Sequence, residues 1–155
     1  MKKSLLTLIG LSFLLLTLGS CASLELDRVD FGWPVESELS VDNAGMVREG
    51  HFAISFSVSQ LSIEEFQDST ALRGSKIRIL RNPEGYYFIT GPKFKNVYVF
   101  RSAERVLDLK SKISVSTTGL RNPALNQRPP YVELLDNGHV SILLTSDAIE
   151  EGKKP

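Results

Sequence analysis

The sequence predicts an all-β fold: a single antiparallel β-sandwich of about eight or nine strands, with a small β-barrel as the alternative closure and at most one short surface helix. Three observations carry this expectation. Phe52, Ile54, Phe56 and Val58 alternate with Ala53, Ser55, Ser57 and Ser59, a period of two that puts the large side chains on one face of a strand. Asn-Pro-Glu-Gly at 82–85 and Asp-Asn-Gly-His at 136–139 each separate two apolar runs, and both are the chemistry of a tight reversal. Helical periodicity is confined to one short stretch after Leu61.

Taken in order, residues 21–30 are polar-leaning and read as a tether, within which Leu24, Leu26 and Val29 lead with Phe31 towards a first strand. Phe31-Gly32-Trp33-Pro34 breaks the pattern, since Gly and Pro punctuate regular structure. Glu38 to Val41 is a short strand and Asp42-Asn43-Ala44-Gly45 a turn. Ser62-Ile63-Glu64-Glu65 has the spacing of a capping box, with Ser at the cap and Glu at the third position after it. Lys76 to Arg81 pairs with Tyr86 to Thr90, and Tyr131 to Leu135 with Val140 to Thr145. Between these hairpins, Gly91-Pro92-Lys93 makes a break before a strand at Asn96 to Arg101. Arg105 to Thr117 then reads as one long strand with Leu107, Leu109, Ile113 and Val115 on one face. Thr118 to Pro130, with Asn122-Pro123 and Pro129-Pro130, reads as a long loop. The β domain spans residues 31–149, and the charged residues 150–155 form a disordered tail.

The N-terminus belongs to a different kind of segment. Lys2 and Lys3 precede an uncharged, Leu-rich stretch from Ser4 to Ser20, the layout of a secretory signal and marginal in length for a membrane-spanning helix. It ends Leu18-Gly19-Ser20-Cys21, which resembles the lipobox of bacterial type II signal peptides: an aliphatic residue three before the cysteine, then two small ones. The resemblance covers residues 1–21 alone. It implies a signal at 1–20 that is removed, acyl chains on Cys21, and a protein exported and anchored to a membrane. Ala22 and Ser23 lack the Asp that retains such proteins in the inner membrane, so in a Gram-negative host the outer membrane is favoured. Cys21 is the sole cysteine, so an intrachain disulfide is excluded, and with its thiol acylated no cysteine nucleophile remains.

Removing residues 1–20 leaves 155 − 20 = 135 residues with 16 basic and 18 acidic side chains, a net charge of −2. That is enough chain for one core, and the balance argues against nucleic-acid binding. The charge is segregated. Residues 22–70 carry −8, residues 71–129 carry +9 and residues 130–155 carry −3. Either acidic and basic strands lie side by side and pair across the sheet, or one face is basic and meets an anionic partner.

No catalytic apparatus is visible. His51 and His139 both sit beside turns; there is no G-x-S-x-G elbow and no H-E-x-x-H helix. Glu64-Glu65 and Glu36/Glu38 read as solvated pairs, and Asp42-Asn43-Ala44-Gly45 lacks the oxygen ligands of a calcium loop. No metal and no cofactor are expected. Binding has more support. Tyr86, Phe88, Tyr98 and Phe100 alternate on two neighbouring strands, with Trp33 as a further ring and Lys76, Arg78, Lys93, Lys95 and Arg101 beside them. Such rings either stabilise the sheet or form an exposed aromatic and cationic surface for a protein or sugar. The expectation is a non-catalytic interaction or accessory module of the cell envelope, with an envelope protein as partner. The alternatives are a lipoprotein that binds a glycan or small ligand and, third, a hydrolase with an unrecognised site.

Overall fold

The computed structural model describes residues 36–50, 53–104, 106–138 and 140–150. Over these the chain is all-β and antiparallel, with ten strands and one helix. The strands are β1 (Ser37–Ser40), β2 (Met46–Glu49), β3 (Ile54–Ser57), β4 (Lys76–Arg81), β5 (Tyr86–Thr90), β6 (Asn96–Ala103), β7 (Val106–Ser114), β8 (Pro123–Arg128), β9 (Tyr131–Asp136) and β10 (Val140–Leu144); the helix is α1 (Ser59–Phe66). They form a five-stranded sheet ordered β1-β4-β5-β6-β7, a three-stranded sheet ordered β10-β9-β8 and the hairpin β2-β3. The expected fold class is therefore found, with the sandwich-like layering described below.

Turn chemistry explains where the chain reverses. The Asp42 carboxylate accepts the Ala44 and Met46 N–H groups at 2.8 and 2.9 Å, which holds the β1–β2 turn. At the β4–β5 hairpin, Gly85 N–H reaches Asn82 C=O at 3.0 Å and Tyr86 N–H reaches the Asn82 side chain at 2.9 Å. At the β9–β10 hairpin, Asn137 and Gly138 take φ of 53° and 71°, left-handed values that Asn and Gly adopt more readily than other residues, and the register pairs Asp136 with Val140 across the turn.

The central sheet is buried on both faces. Pairing of Ile79 with Ile89 and of Ile89 with Tyr98 places these residues with Ile77 on one face, termed the front. Pairing of Leu80 with Phe88 and of Phe88 with Val99 places these with Val97 on the back. Ile77, Ile79, Leu80, Phe88, Val97 and Val99 are all fully buried. The three-stranded sheet covers the back: β4 packs against β8, Leu125 N–H donates to Glu36 at 2.8 Å, and the Ser111 hydroxyl donates to Ser146 C=O at 2.6 Å. The β2–β3 hairpin and α1 cover part of the front.

Four elements differ from expectation. Met46–Glu49, for which the sequence predicts no element, forms β2 opposite β3. Residues 123–128, read as loop, form β8; it is the edge of its sheet, where Pro123 at the first position removes no ladder bond. The helix begins at Ser59, not at Ser62. Ser62 lies inside it, fully buried, with its hydroxyl donated to Asp68 C=O, so the capping box does not form. In β7 a bulge changes the register: Val99 pairs with Ser111 but Phe100 with Leu109. The extra residue, Lys110, inverts the alternation beyond it. Leu107 and Leu109 therefore face front while Ile113, opposite Val97, faces back. Glu150, assigned to the tail, is tied in by its N–H to Leu143 C=O at 2.9 Å.

Candidate functional site

The front of the central sheet carries an apolar groove of about 860 Å³. Its floor is Ile89, Tyr98 and Phe100, its outer wall Leu107 and Leu109 of β7, and its opposite wall β3 and Leu61 of α1. Ile54 and Phe56 project towards it from β3, and Ser102, Glu64 and Glu104 are the polar residues at its edge. The register makes it: because Phe100 stands opposite Leu109 and Tyr98 opposite Ile89, one face collects large side chains at the end of the sheet that α1 does not reach. Among the described residues only Ile63, Val106 and Leu109 are large, apolar and exposed, and two of these three line the groove.

The helical wall is held by one carboxylate. Glu65 accepts from the Tyr98 hydroxyl at 2.7 Å, from the Asn96 amide at 2.8 Å and from the Lys95 backbone N–H. Burial first, and the Glu65 carboxylate second, push the Tyr98 phenol far above the usual tyrosine range, so it is a fixed donor rather than an acid. Phe94 packs edge-on against Phe66 and Tyr98, with ring centroids 5.4 and 6.2 Å apart. Lys112 lies 5.4 Å from the Tyr98 ring centroid and 3.6 Å from the Glu64 carboxylate.

The sequence-derived aromatic surface divides between the two faces. Tyr86 and Phe88 face back, Tyr98 and Phe100 front. Phe88 and Tyr98 are buried, while Tyr86 is half-buried with Lys110 at 5.7 Å from its ring centroid. An exposed platform of four rings therefore does not form; Tyr98 and Phe100 enter the groove instead. The cations also part company. Arg78, opposite Glu38, meets Glu38 at 2.6 Å and Glu36 at 3.3 Å, and Lys76 pairs with Glu38. These pairs join the acidic segment to the basic one, which is the cross-strand arrangement. Lys95 is exposed. Leu18, Gly19, Ser20, Cys21, Trp33, His51 and His139 lie outside the described residues.

Glu36 and Glu133 have structural partners. Glu36, half-buried, is pushed up by desolvation against the pull of Leu125 N–H and Arg78. Glu133 accepts from Ser141 at 2.6 Å, Arg128 at 2.9 Å and Asn126 at 3.4 Å, and the Ser141 bond leads in holding it below the ordinary glutamate range. Among the described residues no three His, Cys, Asp or Glu side chains gather as a metal site.

Reading the residues missed the groove because its walls come from β3, α1 and β7, which are distant in the chain. The one available signal was the Leu107/Leu109 alternation. Comparison with known protein families, curated proteins and solved structures finds no match for the chain.

Proposed function

We propose that the chain is a lipid-anchored envelope protein whose β domain works as a non-catalytic binding module, with the front groove as its contact surface. The observation that carries the reading is the groove itself. It is concave, mostly apolar and edged by a few polar groups, as binding sites are, and the exposed side chains of β7 gather there. The lipobox-like Leu18-Gly19-Ser20-Cys21 supplies the anchor, since two or more acyl chains give stable attachment where one gives marginal binding. An envelope protein presenting an apolar segment is the partner this surface fits best.

A photo-crosslinking residue placed at Leu109 of the anchored protein tests the reading in its own envelope. The expected result is one dominant protein adduct, lost when the same probe is placed at Glu84 on the β4–β5 turn. Equal labelling from both positions would overturn it. Anchoring is tested separately: Cys21→Ala should abolish incorporation of labelled fatty acid and release the protein from membranes. The groove's volume of about 860 Å³ also falls within the range of roughly 300–1,000 Å³ that small-ligand pockets occupy, which favours a small apolar ligand as the second reading. Adducts of lipid-like mass at Leu109, with no protein adduct, would select it.

A further inference from the structure

We propose that α1 is a hinged wall of the groove, opening as a unit when the Glu65 clasp releases. The helix is only eight residues long and has no side-chain cap at Val58, its N-terminal boundary. A helix of that length is not stable by itself, so contacts with the sheet hold it in place. Besides the exposed Lys112–Glu64 contact at 3.6 Å, they come from four residues. Leu61 and Ser62 are its buried residues, Phe66 meets Phe94, and Glu65 gathers the three donors at the start of β6. The two boundaries are fixed points between which the helix would turn. Val58, outside helical geometry at φ −93°, ψ 7°, is buried with its N–H on Gly45 C=O at 2.9 Å, and Gln67 takes the left-handed conformation at φ 59°. Beyond Gln67 the chain stays exposed from Asp68 to Ala71 before Leu72 re-enters the core, in a turn braced by the Thr70 N–H and hydroxyl on the Asp68 carboxylate, both at 2.8 Å, so this turn moves with the helix. By contrast β5 and β6 are paired on both sides and buried on both faces.

The consequence for the groove follows from shared residues. Gln60, Leu61 and Glu64 line it from the helix and Tyr98 from the floor, so the Tyr98–Glu65 bond ties wall to floor. Release of α1 widens the groove, and an occupant that fills it favours the closed helix; the two effects are reciprocal. This coupling rests on the groove being a binding site, whereas the hinge stands without it. Glu65 is in this account a positioning residue.

Amide exchange on the full chain in lipid nanodiscs tests the hinge. In the unmodified protein, α1 amides should exchange faster than those of β5 and β6. Glu65→Gln, which keeps size but removes the charge, should speed α1 exchange by about tenfold while β5 and β6 stay unchanged. Tyr98→Phe, which keeps the ring and removes one donor, should give a smaller rise in the same segment. Octyl glucoside held below its micelle concentration should slow α1 exchange. If α1 exchanges together with β5 and β6, or if Glu65→Gln leaves α1 unchanged, the hinge is overturned. If the variants behave as expected and octyl glucoside has no effect, the hinge stands and the groove is not a site for amphiphiles.

Discussion

The two faces of the central sheet are built from similar residues and treated differently. On the back, Leu80, Phe88, Val97 and Val99 are fully buried, and β8 of the three-stranded sheet packs against β4. On the front, Ile77, Ile79 and Ile89 are equally buried, but Phe100, Leu107 and Leu109 grade outward into the groove. The back is closed by three paired strands that shield one another. The front is closed by a hairpin and a helix of two turns, which leave one end uncovered. Stability is therefore concentrated in the back layer, and the front is where the molecule has surface to offer. This is the usual division between elements that open only globally and those that open locally.

The largest expected effect breaks the back. Phe88→Ala removes a fully buried ring between two sheets and should cost about 3–5 kcal/mol, read by urea unfolding; a loss below about 1 kcal/mol would mean the second sheet does not seal that face. Next comes Gly119, at φ 97°, where a Cβ would lie 2.7 Å from Lys93 C=O. Gly119→Ala should cost about 1–3 kcal/mol by displacing the loop that leads into β8.

A smaller effect separates two carboxylates of the back layer by sign. Glu133 is held below its ordinary value of 4.5, so its contribution is present above that value and is lost as pH falls through the depressed folded pKa. Glu36 is raised above 4.5, so its contribution is present below that value and is lost as pH rises through the elevated folded pKa. Glu133→Gln should flatten the acid limb of a stability–pH profile and Glu36→Gln the limb above it; the same limb changing in both would contradict the assignment. The smallest effect on stability belongs to the front. Leu109→Ser, at 51% exposure, should change unfolding by less than about 0.5 kcal/mol while abolishing the protein adduct formed from a photo-crosslinking residue at Val106, which lines the same groove.

These contrasts show what the residues could reveal unaided. Both hairpins with strong turn chemistry are present, because Asn82-Pro83-Glu84-Gly85 closes through bonds within four residues and Asn137-Gly138 adopts left-handed φ values that few other residues accept. Strand pairing across longer connections was not readable. Tyr86 and Phe88 were grouped with Tyr98 and Phe100 by alternation, but the β5–β6 register, set by the Gly91–Phe94 turn, pairs Tyr87 with Phe100. A shift of one residue exchanges every side chain between faces. The same applies within β7, where one inserted residue reversed the face of Ile113. β8 was concealed by its prolines, which an edge strand tolerates. The site was the least legible part, because no local pattern records which distant walls will meet.

The bulge at Lys110 has a consequence for neighbours as well as for register. Among the described strands β7 is the terminal member of its sheet, nine residues long and carrying exposed Val106 and Leu109. A flat strand of that kind, brought beside another copy, would pair with its edge. The inserted residue interrupts the regular ladder and increases the local twist, and its ammonium, paired with Asp147 at 2.9 Å, adds charge to an edge strand. Crowding at a surface would then leave the apolar side chains available for recognition while denying the main chain to self-assembly.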